Sequence, residues 1–104
     1  KTTVSSTNFS IVNATGNASY PISGYSWVML RKDQSASKAT SLAEAELTVK
    51  IVDWLSHSAP ANSGYTFGQE VAASQGYVPL PAAAQTVARN GLKTITYSGA
   101  VVLK

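Results

Sequence analysis

The sequence predicts an α/β fold: one or two buried strands, about three packed helices, and a terminal strand or hairpin. Three observations carry that expectation. Trp27, Val28, Met29 and Leu30 form an unbroken apolar run of strand length, as in a sheet covered on both faces. Leu47, Ile51, Trp54 and Leu55 follow at i, i+4, i+7 and i+8, which is one apolar stripe of a helix. Gly76, Pro81 and Asn90-Gly91 then punctuate the remainder into two shorter helices.

Taken in order, residues 1–24 read as a turn-rich, extended segment. Phe9 and Ile11 alternate with Ser10 like a short strand, Gly16 marks a turn, and Pro21 holds Tyr20 extended. Residues 25–104 read as one α/β unit. Its strand, Tyr25 to Arg31, ends in water at Arg31, Lys32 and Asp33. Ser41 caps the first helix, with Glu44 three residues on as its capping-box partner. Ser56 to Gly64 forms a loop containing Pro60. A short helix from about Phe67 to Gln75 turns Phe67 and Val71 inward and ends at Gly76. Pro81 opens the third helix, whose inner side is Ala84, Val87, Ala88 and Leu92. Thr94 to Leu103 alternates around Gly99 as a terminal strand or hairpin. The predicted core is Trp27, Val28, Leu30, Leu47, Ile51, Trp54, Leu55, Phe67, Val71 and Val87.

Composition narrows the function. The chain has 104 residues, enough for one domain. Charged residues make up 12%, about half the usual share, while Ser and Thr are abundant, a surface more typical of secreted than of cytosolic proteins. There are no cysteines, which excludes disulfides, thiolate metal sites and Cys nucleophiles. A single histidine excludes a multi-His metal centre, and no cofactor is expected. A net charge of +3, scattered along the chain, gives no basic stripe for nucleic acid. No apolar run is long enough to span a membrane.

Few groups suggest chemistry. Asp53 and His57 lie four apart near a helix end, with Ser56 and Ser58 beside the histidine. No Gly-x-Ser-x-Gly elbow accompanies them, so His57 reads as a helix-end residue favoured by the dipole. Glu44, Glu46, Asp53 and Glu70 read as solvated carboxylates rather than as an acid–base pair. Ser23-Gly24 and Ser98-Gly99 offer hydroxyls and N–H groups to an anion, a signal shared by ordinary turns. Asn8, Asn13 and Asn17 each begin an Asn-x-Ser/Thr sequon; glycosylation there implies secretion from a cell that modifies asparagine. No catalytic residue and no ligand-binding residue is assigned.

A more specific pattern is the order of several short segments. Ser10-Ile11-Val12-Asn13 precedes a Gly-containing turn and Tyr20-Pro21-Ile22. The apolar run Trp27 to Leu30 exits through Arg31-Lys32-Asp33-Gln34. Val52-Asp53-Trp54-Leu55, Gly68-Gln69-Glu70-Val71-Ala72 and Gly76-Tyr77-Val78-Pro79-Leu80-Pro81 follow. Over roughly residues 10–95 this order resembles the C-terminal end of the periplasmic phosphate-binding proteins of ABC transporters, the PstS type. The resemblance implies part of a two-lobed solute-binding fold, with residues 1–24 as a crossover segment and residues 25–104 as the C-terminal part of a lobe. It implies a periplasmic or extracellular location and no enzymatic activity.

What the resemblance does not supply is a ligand set. The family's Ser-Gly-Thr loop with its Arg has no counterpart here, and Arg31 and Arg89 stand in other contexts. Phosphate, or a related oxyanion, would be held only by a completed two-lobe protein, with a complementary N-terminal segment supplying the missing strands. The alternative reading is a secreted structural or interaction protein whose exposed strand edges pair with other copies of the chain.

Overall fold

In a computed structural model the described residues are 10–11, 15–18, 20, 22–36 and 41–103. They form an α/β mix of three packed helices and a two-stranded antiparallel hairpin. Helix α1 spans Leu42–Ser56, α2 Gly68–Ser74 and α3 Ala82–Leu92. Strands β1, Thr96–Tyr97, and β2, Ala100–Val101, close the chain. A 3-10 turn, Gln34–Ala36, precedes α1. Helix α1 is the hub, because α2, α3 and the 3-10 turn all pack on it.

The helix ends follow local chemistry. Ser41 Oγ accepts the Glu44 N–H at 3.3 Å and donates to the Glu44 carboxylate at 3.1 Å, so the expected cap forms. Gly76 adopts φ +85, and past it the Tyr77 N–H reaches Ala72 O at 3.0 Å while the Gly76 N–H reaches Ala73 O at 3.1 Å. This paired closure satisfies carbonyls that the helix leaves open, and the left-handed residue it needs falls on glycine. Ser98 (φ 49) and Gly99 (φ 83) turn the hairpin, with Thr96 opposite Val101 and Tyr97 opposite Ala100. Positive φ at both central residues is the two-residue turn that matches strand twist.

The core differs from the expected one. Ala45, Val49, Leu92, Ile95 and Val102 are buried, and Leu30, Val52, Tyr97 and Leu103 pack against them. In α1 the inner stripe is therefore Ala45, Val49 and Val52. Leu47, Ile51, Trp54 and Leu55 lie outside, with Leu47 59% and Ile51 53% exposed against 0% for Val49. Val71 is also exposed, whereas Phe67 and Val87 are half-buried. The physical reason is that α1 is apolar on both sides. Its smaller residues admit the close approach of α3 and the hairpin, and its larger ones are left facing outward.

The expected strand at Tyr25 to Arg31 is corrected too. Residues 23–31 carry no strand ladder among the described residues. Trp27, Val28 and Met29 are exposed and only Leu30 is partly buried. The Tyr25 and Trp27 rings meet edge to face at 5.9 Å, so these alternate residues share one side, as the period of two requires. The sheet that would cover the run is not formed by this chain's described residues. The run is anchored at its end instead. Asp33 bridges Thr96 in parallel fashion, the Thr96 N–H donates to Lys32 O at 2.8 Å, and Gln34 Nε2 donates to Arg31 O at 2.6 Å.

Candidate site at the end of helix α1

Helix α1 ends where α2 and α3 converge on it. Gly68 permits this, since a Cβ there would stand 2.6 Å from the Leu55 Cα. Three polar side chains then fix the segment that leaves α1. Buried Gln69 donates from Nε2 to Leu55 O at 2.8 Å and accepts the Leu80 N–H at 2.6 Å. Glu70 accepts the Phe67 N–H at 2.8 Å and the Ala59 N–H at 3.1 Å. Gln85 accepts the Ser58 N–H at 3.1 Å and donates to Leu80 O at 2.8 Å. The N–H bonds from Ala59 and then Phe67 hold the Glu70 carboxyl below its ordinary pKa.

This frame buries His57, which is 8% exposed at the C-terminal cap of α1. Its Nδ1 lies 2.8 Å from Asp53 O, 3.0 Å from Ser56 Oγ and 3.3 Å from Asp53 Oδ1. A carbonyl and a carboxylate on one ring nitrogen require a proton there, so Nδ1 is the N–H. Nε2 is then turned the other way. It is buried and has no hydrogen-bond partner among the described residues, and Asp53 Oδ1 is likewise left without an aligned donor. On its outer side Asp53 meets Arg89, with Oδ2 3.5 Å from Nη2.

His57, Ala82, Gln85, Thr86, Arg89 and Asn90 line a cleft of about 240 Å³. Residues 82, 85, 86, 89 and 90 share one face of α3 by helical spacing. The sequence had marked Asp53, Ser56 and His57 as neighbours, and they do meet. Their order is not that of a nucleophilic triad, which places the hydroxyl on one ring nitrogen and the carboxylate on the other. Here Ser56 and Asp53 both crowd Nδ1, and Ser56 Oγ donates to Val52 O at 2.8 Å. Ser58 is drawn away to Gln85.

The remaining candidates lie apart. Glu44 serves the Ser41 cap and Glu46 sits half-buried on α1. The Ser98 N–H donates to Asp33 at 3.3 Å, and Ser23 Oγ donates to Tyr20 O at 3.0 Å, so neither Ser-Gly step converges on an anion site. Asp33 also accepts the Ser35 hydroxyl at 2.7 Å and its N–H at 3.0 Å. Those bonds, the hydroxyl first, hold the Asp33 carboxyl below its ordinary pKa. Asn17 is exposed in the turn at residues 15–18, while Asn8 and Asn13 lie outside the described residues. Arg31 is exposed at the end of the apolar run.

Sequence reasoning missed Arg89, Gln69 and Gln85. Arg89 belongs to no motif, and its partner Asp53 lies on another helix, so only the packing of α3 on α1 pairs them. Glu70, expected as a solvated carboxylate, instead caps α2 through the Phe67 N–H, and the signal for it was present: a carboxylate three residues after a helix start is half of a capping box. No described helix is long and apolar enough to cross a membrane. No family model, curated protein or solved structure significantly matches this chain.

Proposed function

We propose that this chain is a non-catalytic segment of an extracytoplasmic solute-binding protein of the phosphate-binding type, completed by an N-terminal complementary segment. The observation that carries the reading is the uncovered apolar stripe of α1: Leu47, Ile51, Trp54 and Leu55 are all exposed. A helix apolar on both sides is suited to a layer packed on both sides, and the described residues cover one. The exposed run Trp27 to Met29 asks for strands as partners in the same way. The sequence order from Ser10 to Ile95 says which missing part would fit, and the charge-poor, hydroxyl-rich composition suits a periplasmic or extracellular setting.

In this reading oxyanion transport belongs to the completed protein. A dehydrated phosphate needs many converging donors, and the family's ligand loop is not in this chain. The test is complementation: a PstS-type phosphate-binding protein truncated of its matching C-terminal part, mixed with this chain and followed by calorimetry. The expected result is micromolar phosphate binding by the mixture and none at that strength by either piece. Failure of the two pieces to associate would overturn the reading.

A second reading, assembly between copies, draws on one observation. Tyr20, Ile22, Trp27, Val28 and Met29 are exposed along one stretch, and Met29 is 95% exposed. Strand addition between copies would cover it. Light scattering separates the two: a concentration-dependent oligomer that Met29→Lys disperses favours copies of the chain as the partner.

A further inference from the structure

We draw no further inference here: the strongest candidate, the surface patch of exposed apolar side chains on and beside α2, Tyr65, Val71, Tyr77 and Val78, carries none because nothing in the structure shows what covers it.

Discussion

The two sides of helix α1 carry similar residues and have opposite fates. Ala45 and Val49 are sealed against α3 and the hairpin, whereas Leu47 and Ile51, two residues further along, face outward. Burial within this chain thus does not follow hydrophobicity: the outer stripe is the bulkier. The inner side was chosen by close approach, the same requirement seen at Gly68 against Leu55. What the contrast teaches is that apolar character alone does not decide which face of a helix is covered. It also separates residues that hold this fold from residues available to a partner.

The sharpest way to break the comparison is a charge on each side. Val49→Asp places a carboxylate where no partner exists and should abolish the cooperative melt, because an unpaired buried charge costs several kcal/mol, a large part of the stability of a small domain. Ile51→Asp should leave the melt of the isolated chain nearly unchanged, within about 0.5 kcal/mol, and should instead impair complementation. If Ile51→Asp unfolds the chain as Val49→Asp does, the assignment of inner and outer sides is reversed.

Next in size are the contacts at the end of α1. Gly68→Ala forces a methyl into the Leu55 backbone, and relieving that overlap should cost about 1–3 kcal/mol by chemical denaturation. Gln69→Ala leaves the Leu80 N–H and Leu55 O without their partner, with an expected loss of about 1–3 kcal/mol. By contrast, Gln75→Ala, on the exposed C-terminal cap of the same helix α2, should change stability by less than about 0.5 kcal/mol.

The smallest expected effect is on acidity. Asp33 and Glu70 are both held below their ordinary pKa by the N–H and hydroxyl groups they accept from. A carboxyl depressed in the folded state contributes stability in full above its unfolded pKa and loses it as pH falls through the folded value. Denaturation midpoints should therefore be level near neutrality and decline as the pH drops through and below the carboxylate range. Glu70→Gln should flatten part of that decline by loosening residues 57–67, and Asp33→Asn another part by freeing the hairpin from the 3-10 turn. Acid sensitivity unchanged in both variants would mean that other groups set it.

Much of the local structure was legible in the sequence. Ser41 with Glu44, Gly76, the start at Pro81 and the inner side of α3 ending at Leu92 all appear where their chemistry puts them. The Ser98-Gly99 turn resolves the last segment as a hairpin. These features succeed because each satisfies a backbone requirement within a few residues of itself. The predicted strand at Tyr25 to Arg31 and the predicted inner stripe of α1 failed for one shared reason. Apolar character says that a surface is to be covered but not by what, and for both surfaces the described part of this chain supplies no cover.

The candidate site divides along the same line. His57 and Asp53 share a helix four residues apart, so their meeting was determined by sequence spacing alone. That Nε2 is buried and that Arg89 stands across Asp53 were decided only in the tertiary structure. The sequence by itself determined the caps, the turns, the helix periods and the absence of cysteine chemistry, because those depend on neighbours along the chain. The tertiary structure decided which side of α1 is inside and that His57 Nε2 is buried without a partner among the described residues. Both depend on how closely α2, α3 and the hairpin approach α1, a matter of volume and backbone contact that no local pattern encodes.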